Sequence, residues 1–473
     1  MQNVSGLQCP RCNEKYPLKN ETAYLVEGCH KCATKESVAN LTLRYKENKT
    51  TITPSTFLGR GNSMWKFSEF LPFDSEHAVT IGEGMTPLVP CEKMAKHLGV
   101  GQLYLKDETR NPTWSHKDRA MSVSVSHALE RGDRVVTTAS SGNEGGALAA
   151  YAARAGIEAV IFTSAACPPT MQTLMQVFGA KLIATPTSQD RFTIMRHCVE
   201  KFGWYPMSGY SDKPIGTNPF LHEGYKTIAF EICEELDFEV PDYVIVPTCW
   251  GDGLHGIWKG FTEFKQSGLI DKLPKMVAAE VFGPLSNALK KNLSYVEDTP
   301  SGDSIAISIA SGVSTWQALH ALLDSKGMAQ DVNDDDLLKM QMELASTEGI
   351  FAEVSSIASI AALKKLSEKN LIQNDSRIIS VITSSGLKDP DVTRSILPEV
   401  PVIEPNLDAL EAALRNNYNF DIDKVGEKKI YTSIGEDTII VNANDIALIL
   451  IDTWGYPNEP DLPDPIVKKQ KLF

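Results

Sequence analysis

Residues 111–119 read NPTWSHKDR, and residues 140–146 read SSGNEGG. The first stretch places Lys117 at the start of a predicted helix among small and polar residues, where its amine can form an imine with an aldehyde cofactor. The second stretch leaves a predicted strand and opens a helix, so it presents backbone N–H groups and short hydroxyls to an anion such as a substrate carboxylate. A lone Lys-Asp-Arg run is usually a solvated charge run, so the two stretches are informative as a pair.

Strand and helix patterns alternate along the middle of the chain. Strands are predicted at residues 103–105, 134–138, 159–163, 181–184, 243–247, 276–281 and 377–383, and helices at residues 145–156, 190–202 and 253–265. Apolar strands between amphipathic helices predict a largely parallel sheet covered on both faces.

Two further segments follow predicted strands. Residues 248–256 read TCWGDGLHG, a glycine-rich turn whose backbone amides can close on a phosphate. Asp252 would repel a phosphate there unless its carboxylate caps the helix or faces away. His255 can donate to the phosphate or be an ordinary solvated histidine. Residues 383–389 read TSSGLKD, where Thr383 offers a neutral hydroxyl at a strand end; the alternative is a simple serine-rich loop.

Composition describes an ordinary globular protein of 473 residues, 42% apolar and 22% charged. A net charge of −14 argues against nucleic acid as a main partner, because phosphate backbones demand clustered Lys and Arg. The sequence contains no apolar run of about 18 residues, so no membrane span is predicted. It also lacks a basic stretch followed by an apolar one, so no signal peptide is predicted and the expected location is cytoplasmic.

Four of the nine cysteines form two Cys-x-x-Cys pairs. They are Cys9, Cys12, Cys29 and Cys32. The spacing is typical of a zinc ribbon, in which four thiolates surround one structural zinc ion and leave no open position for catalysis. Four free thiols, or a ribbon held by its own packing, are the alternatives. The apolar residues 24–26 between the pairs predict a small hairpin.

Together the motifs resemble the threonine synthase family, within the tryptophan-synthase-like (fold type II) pyridoxal phosphate enzymes. The resemblance rests on an ordered set of segments. They are GEGMTPL at residues 82–88, NPTWSHKDR, SSGNEGG with AAYAARAG at residues 149–156, residues 245–261, EGIF at residues 348–351 and TSSGLKDP at residues 383–390. The resemblance implies an α/β, tryptophan synthase β-like fold with two parallel-sheet domains, preceded by a zinc-ribbon-like segment. It also implies pyridoxal 5'-phosphate as cofactor, a small amino-acid substrate and a homodimer.

The resemblance assigns a role to each motif. Lys117 would hold the cofactor as a Schiff base and then shuttle protons. The other cofactor-binding residues would be Asn143 at the 3-hydroxyl, Thr383 at the pyridine nitrogen, and Gly251, Asp252, Gly253, Leu254 and His255 around the phosphate. The substrate would be bound by Ser115, His116, Ser140, Ser141, Gly142 and Asn143. A neutral hydroxyl at the pyridine nitrogen moderates the electron sink and so favours elimination and replacement over transamination.

The chain departs from its relatives at three positions near this site. Trp114 and His116 stand where the family usually has Gly and Phe, and Asp252 stands where glycine is common. Trp114 adds a large ring that can reshape the cavity. His116 either fills the family's aromatic position or acts as an acid, a base or an anion ligand.

Three functions are compatible with these residues. The first is a lyase of the threonine synthase type, which converts O-phospho-L-homoserine and water to L-threonine and phosphate. The second is a paralogue for another β- or γ-substituted amino acid, either cysteate-synthase-like or serine/threonine dehydratase-like. Basic groups that bind a substrate phosphate would distinguish these two, and the candidates are Lys106, Arg110 and Lys388. The third is a pyridoxal-phosphate-binding protein without turnover, against which intact Lys117, Asn143 and Thr383 argue.

Three domains are predicted: a zinc-ribbon-like segment at residues 1–40, a catalytic core of two α/β subdomains at residues 41–395, and a C-terminal extension at residues 396–473. Residues 40–53 are polar and weakly patterned, which predicts a linker. In the extension, residues 407–414 predict a helix and residues 438–441 a strand, and the proline-broken end predicts irregular structure.

Overall fold

The computed structural model describes residues 3–18, 23–46, 51–210, 213–420, 430–434 and 437–441. The chain divides into two compact units, Met1–Ser395 and Ile396–Phe473. The strands described in the first unit are β1 (Val4–Gln8), β2 (Lys15–Tyr16), β3 (Thr42–Tyr45), β4 (Leu88–Pro90), β5 (Gln102–Asp107), β6 (Val135–Ala139), β7 (Glu158–Ser164), β8 (Lys181–Thr185), β9 (Tyr205–Pro206), β10 (Tyr243–Pro247), β11 (Lys275–Glu280), β12 (Met328–Asp331) and β13 (Arg377–Ile382). The helices are α1 (Ala23–Val26), α2 (Glu92–Leu98), α3 (Lys117–Arg131), α4 (Asn143–Ala155), α5 (Pro169–Val177), α6 (Asp190–Phe202), α7 (Pro219–Tyr225), α8 (Thr227–Glu235), α9 (Asp252–Gln266), α10 (Pro284–Lys290), α11 (Trp316–Ser325), α12 (Asp334–Glu348), α13 (Val354–Glu368) and α14 (Pro390–Arg394).

Two sheets organise the core of the first unit. The larger has the strand order β12-β11-β10-β13-β5-β4, and only β4 runs antiparallel to its neighbour β5. The smaller has the order β8-β7-β6-β9 and is parallel throughout. The predicted α/β architecture with two parallel sheets is confirmed, and each of the seven predicted strands is present.

The central strands are buried on both faces, as their apolar sequences require. β10 reads YVIVP, and its Val244 and Ile245 point to opposite faces of the sheet yet are both fully buried. Helices therefore cover both faces of the larger sheet. The segments that follow β6, β10 and β13 begin at the carboxyl ends of parallel strands, which is where open α/β sheets bind ligands.

The N-terminal segment is a three-stranded antiparallel sheet of order β2-β1-β3. Its strand β3 lies within the predicted linker and pairs with β1, with Leu43 opposite Leu7. The linker prediction is therefore wrong for these residues. Polar neighbours dominate the stretch and suggest a linker, but the side chain of Leu43 is buried. Residues 24–26 belong to helix α1, not to a hairpin strand, so that prediction is also wrong.

The second unit contains α15 (Leu407–Tyr418) and the antiparallel pair β14 (Ile430–Ile434) and β15 (Asp437–Val441). α15 begins at Leu407 because the side chain of Asn406 caps it by accepting a hydrogen bond from the N–H of Ala409. The predicted helix and strand of this extension are confirmed, whereas its proline-broken end lies outside the described residues. In the described part of the chain, no helix combines the length and the apolar character needed to cross a bilayer.

Candidate active site

The start of α3 is fixed by the residues just before it. Asp118 accepts hydrogen bonds from the backbone N–H and the hydroxyl of Thr113, at 2.7 and 2.6 Å, which folds this segment onto the first turn of the helix. Trp114 has a left-handed φ of 60°, and its side chain is 48% exposed. The large ring of Trp114 is thus not packed inside the protein.

The amine of Lys117 lies between Glu144 and Tyr225. Its Nζ is 3.3 Å from Oε2 of Glu144 and 5.6 Å from the centre of the Tyr225 ring. Burial lowers the pKa of Lys117, but Tyr225 and the Glu144 carboxylate outweigh burial, so that the pKa lies above its usual value. The second oxygen of Glu144 accepts hydrogen bonds from the hydroxyls of Thr138 and Ser208, at 2.6 and 2.7 Å, which anchor the carboxylate beside the amine.

The turn that opens α4 offers free backbone donors. The hydroxyl of Ser140 accepts hydrogen bonds from the N–H groups of Gly142 and Gly145, at 3.3 and 3.0 Å, and so shapes the turn. The N–H groups of Asn143 and Glu144 have no acceptor among the described residues. A helix start with free N–H groups attracts an anion, as the sequence predicts for this turn.

Two side chains of this turn contact other parts of the chain. The hydroxyl of Ser141 accepts a hydrogen bond from Nη1 of Arg191 at 2.8 Å. The amide of Asn143 donates to Glu353 at 2.7 Å and accepts from the hydroxyl of Ser384 at 3.2 Å. Since an amide nitrogen carries two hydrogens, Asn143 keeps one donor for a ligand.

The glycine-rich turn before α9 forms a second cradle. Gly251 has a φ of 97°, and a Cβ there would lie 2.2 Å from the Cβ of Ala318, so only glycine fits. The N–H groups of Asp252, Gly253 and Leu254 have no acceptor among the described residues, whereas that of His255 donates to Gly251 at 2.9 Å. An anion at this helix start would therefore meet the first three N–H groups of α9 but not the N–H of His255.

The carboxylate of Asp252 is held by groups away from the free N–H groups. Its Oδ1 accepts hydrogen bonds from the N–H and the hydroxyl of Thr217, at 2.9 and 3.0 Å, and lies 2.8 Å from Nε2 of His222. Burial raises the pKa of Asp252, but the hydrogen bonds from His222 and Thr217 outweigh burial and the pKa is lowered. Asp252 is thus a charged residue that packs against the loop of Thr217, which answers the repulsion expected from its sequence position.

The side chain of His255 packs against a second histidine. Its ring lies 5.1 Å from that of His222 in an edge-on arrangement. Burial, and then the charge of His222, lower the pKa of His255 to about 3. His255 is therefore neutral near pH 7 and adds no positive charge to the cradle.

Thr383 and His116 meet beside the amine of Lys117. The hydroxyl of Thr383 is hydrogen-bonded to that of Ser356 at 2.8 Å, and its carbonyl accepts from the N–H of His116 at 2.9 Å. The ring of His116 stacks on Tyr225 at 5.2 Å. Burial, and then the charge of Lys117, lower the pKa of His116 to about 3. His116 is consequently a neutral group near pH 7 that stacks on an aromatic ring.

Two buried polar groups next to these motifs have no partner in the described part of the chain. The hydroxyl of Ser115 is fully buried, and Nζ of Lys388 belongs to a side chain that is 3% exposed. Burial lowers the pKa of Lys388 to about 8 even though Asp118 and Glu353 oppose it. Both groups are available to a ligand.

The other two cations predicted as phosphate ligands are already paired. Lys106 forms ion pairs with Glu231 at 2.9 Å and with Glu235. Arg110 is 69% exposed and pairs with Asp107 at 3.0 Å. The ammonium group of Lys106 is thus engaged inside the protein, whereas Arg110 is largely exposed and uses Nε for its ion pair.

Several site residues are absent from the sequence prediction. They are Glu144, Arg191, Tyr225, Glu353 and Ser356. Glu144 stands inside the SSGNEGG motif and Glu353 follows EGIF, so their motifs offered a signal. The other three reach the site from distant segments, and nothing in their local sequence marks them.

A buried network of ion pairs holds α3 through Arg119. Arg119 is fully buried and pairs with Glu108 at 2.7 Å and with Glu231. The hydroxyl of Thr86 accepts a further hydrogen bond from Arg119 at 3.0 Å. These contacts connect the GEGMTPL motif to the helix that carries Lys117.

The four N-terminal cysteines converge as the zinc interpretation requires. Their Sγ atoms all lie within 4.8 Å of one another, with 3.5 Å between Cys9 and Cys32 and 3.6 Å between Cys12 and Cys29. Four thiolates at about 2.3 Å from one tetrahedral zinc ion would be about 3.8 Å apart. The cluster fits a structural zinc ion, and its sulfurs are too far apart for disulfide bonds.

Comparison with known proteins agrees with this geometry. A sequence profile described as pyridoxal-phosphate dependent enzyme matches residues 79–384. The threonine synthase of Methanocaldococcus jannaschii is 36% identical over 415 residues, which are 86% of this chain and 99% of that protein. The threonine synthase of Methanosarcina acetivorans is 36% identical over 416 residues, 86% of this chain and 98% of that protein. This chain belongs to the threonine synthase family.

Solved structures show the fold of this family member. Maize serine racemase matches with a TM-score of 0.57 at 20% identity, over 66% of this chain and 91% of that one. The processed form of threonine deaminase isoform 2 from Solanum lycopersicum matches with a TM-score of 0.55 at 20% identity, over 65% and 81%. These structures give the chain the type II fold, and its family makes it a pyridoxal-phosphate-dependent lyase.

The site fits pyridoxal phosphate on its own chemistry. Lys117 offers an amine for the aldehyde, the free N–H groups at the start of α9 suit the phosphate, and the hydroxyl of Thr383 is a neutral group for the ring nitrogen. The hydroxyl of Ser115, two residues before Lys117, is buried and has no hydrogen-bond partner among the described residues.

Proposed function

We propose that this protein converts O-phospho-L-homoserine and water to L-threonine and phosphate. The observation that carries the proposal is the convergence of one amine, Lys117, with two helix starts whose N–H groups have no acceptor among the described residues. One helix start would bind the cofactor phosphate and the other the substrate carboxylate. The two archaeal threonine synthases, whose lengths this chain spans almost completely, support the choice of reaction.

When bound, pyridoxal phosphate supplies an electron sink that stabilises negative charge on the substrate carbons. Lys117 would bind its aldehyde, and its amine, once released, would take a proton from the α carbon of the substrate and return protons later. Glu144 positions this amine through its 3.3 Å contact. Thr383, with its hydroxyl fixed by Ser356, would leave the ring nitrogen unprotonated and so favour elimination and replacement.

The turn at Ser140–Asn143 would orient the amino-acid substrate. Its free N–H groups bind the carboxylate, and the second hydrogen of the Asn143 amide remains for the cofactor's 3-hydroxyl. Arg191 donates a hydrogen bond to Ser141, which belongs to this turn. The Nε atom of Arg191 is buried without a partner in the described part of the chain. We infer that the guanidinium group would bind the leaving phosphate.

Carbon and phosphorus NMR of O-phospho-L-homoserine with the cofactor-loaded protein test the proposal. We expect L-threonine and phosphate to appear, and Lys117→Ala to abolish both the product and the visible cofactor band. An unchanged spectrum with an intact cofactor band would contradict the proposed substrate and favour a paralogue for another substituted amino acid. A homodimer and a cytoplasmic location remain predictions.

A further inference from the structure

Asn40 connects the N-terminal segment to the core. It is 2% exposed, and its amide nitrogen donates to the carbonyls of Ile215 and Thr217, at 3.0 and 2.6 Å. Its amide oxygen accepts from the N–H of Leu41 at 2.8 Å, which fixes the orientation of the amide. Asn40 therefore holds a loop that is about 175 residues away in the sequence.

The segment around Asn40 is itself tied to the cysteine cluster. The N–H of Cys29 donates to the carbonyl of Ala39 at 2.9 Å. A Cβ at Gly28 would lie 2.7 Å from that carbonyl oxygen, so the backbone at Gly28 and the backbone at Ala39 are in close contact. The position of Asn40 therefore depends on the fold of the zinc-ribbon-like segment.

The loop held by Asn40 is the one that holds Asp252. Thr217 gives Oδ1 of Asp252 two hydrogen bonds, at 2.9 and 3.0 Å. Gly216 lies directly under this carboxylate, because a Cβ there would be 2.2 Å from Oδ1. Any displacement of the loop therefore acts on a charged group at the first residue of α9.

We propose that Asn40 is a positioning residue for the cofactor-phosphate turn, so that the N-terminal segment controls how tightly the phosphate is bound. Asn40 fixes Thr217, Thr217 keeps the carboxylate of Asp252 off the free N–H groups of α9, and the cradle stays attractive to a dianion. Without this hold, the carboxylate loses the two hydrogen bonds from Thr217 and is retained by Nε2 of His222, at 2.8 Å, about which it can turn toward the phosphate, which it repels, or compete for the same N–H groups. The proposal rests on the cofactor site and does not depend on which amino acid is the substrate.

The test is the affinity of the full-length, cofactor-free protein for two probes, pyridoxal phosphate and pyridoxal, followed by visible absorbance. We expect Asn40→Ala to weaken pyridoxal phosphate binding about tenfold or more, since it exposes a dianion to a carboxylate. Binding of pyridoxal, which has no phosphate, should change little. Adding Asp252→Asn to Asn40→Ala should restore most of the phosphate-dependent affinity, because the charge is gone.

Asn3→Ala is the matched control. Asn3 also joins the N-terminal segment to the core, by donating to the carbonyls of Ser68 and Leu71 at 3.3 and 3.2 Å, but it does not touch the loop of Thr217. We expect it to leave the ratio of the two affinities unchanged. Thr217→Val tests the same relay from the core side and should reproduce the loss if Asn40→Ala does not fold.

Equal affinity of the parent, Asn40→Ala and Thr217→Val for pyridoxal phosphate would overturn the proposal. An equal loss for both probes, or a loss that Asp252→Asn does not relieve, would overturn it as well, because either result indicates general loosening of the fold. These outcomes are independent of threonine formation: a parent protein that binds the cofactor but makes no threonine contradicts the proposed function alone.

Discussion

The amine of Lys117 lies 3.3 Å from a carboxylate oxygen of Glu144, and both residues belong to the first turn of their helices. Burial lowers the pKa of Lys117, but Tyr225 and Glu144 together raise it above its usual value, so the amine is protonated. Only the neutral amine attacks an aldehyde. Glu144 therefore positions the lysine and slows its first reaction with the cofactor.

Glu144→Gln should lower the pKa of Lys117 and speed capture of pyridoxal phosphate. The neutral fraction of the amine grows as the pH rises, so the rate of capture should rise with pH, and in the variant this rise should begin at lower pH. The measurement is the rate at which the visible band appears after mixing cofactor with the cofactor-free protein between pH 7 and pH 10. Glu158→Gln removes an exposed carboxylate that pairs with Lys181 and serves as the control. Identical pH profiles for parent and Glu144→Gln would contradict the role of this carboxylate.

His116→Phe should make the protein less sensitive to acid. The folded chain keeps His116 neutral down to about pH 3, whereas the unfolded chain binds a proton there below about pH 6.5. The stability linked to neutral His116 is thus complete above pH 6.5 and is lost as the pH falls toward 3. Removing the group should reduce the fall in unfolding free energy between pH 6.5 and pH 4.5 by up to about 2 kcal/mol.

Urea unfolding at several pH values measures this effect. His77 is exposed, so His77→Phe removes a histidine without removing a buried neutral one. We expect the control to keep the slope of the parent. A steeper slope for His116→Phe than for the parent would show that His116 is charged in the folded protein.

The sequence predicts the parts of this site that depend on local signals. Lys117, the Ser140 turn and the Gly251 turn each combine a strand end, a helix start and small residues within one short stretch, so the strands, the helix starts and the family were predictable. Arg191 and Tyr225 are not predictable from local sequence. Arg191 contacts Ser141, and Tyr225 contacts Lys117, only once separate helices pack together.

Asp252 shows the same limit from the opposite direction. Its sequence position predicts repulsion of an anion, and only the packing of the loop at Thr217 shows why a carboxylate is tolerated there. Likewise, the composition of β3 predicts a linker, because the pairing of β3 with β1 is a long-range contact that composition does not reveal.

Arg119→Met should destabilise the protein by about 3–5 kcal/mol, because it leaves the buried carboxylates of Glu108 and Glu231 without their cation. Arg110→Met breaks an ion pair on an exposed arginine and should cost only about 0–1 kcal/mol. Urea unfolding of both variants compares them directly. Similar losses for the two would indicate that the network behind α3 contributes no more than a surface pair.

One zinc ion per chain is expected in the cysteine cluster, measured by atomic absorption on protein purified without chelator. Cys12→Ser should lose the metal, because a tetrahedral site of four thiolates lacks a ligand without it. Cys198→Ser changes a cysteine outside the cluster and should keep the metal. Chelation should lower the unfolding temperature of the parent but not that of Cys12→Ser. Equal zinc content in both variants would contradict the assignment.

Arg191→Gln separates binding of the substrate phosphate from binding of the carboxylate. If Arg191 binds the phosphate, the variant should raise KM for O-phospho-L-homoserine about 10- to 100-fold, as expected for the loss of a charge-assisted hydrogen bond. The inhibition constant of inorganic phosphate should then rise by a similar factor in the variant. The affinity for L-threonine, which has the carboxylate but no phosphate, should stay near that of the parent when followed by the visible spectrum. Arg154→Gln, in the last turn of α4, is the control and should leave all three values unchanged. A parallel loss of L-threonine affinity would instead place Arg191 at the carboxylate and make Lys388 the next candidate to bind the phosphate.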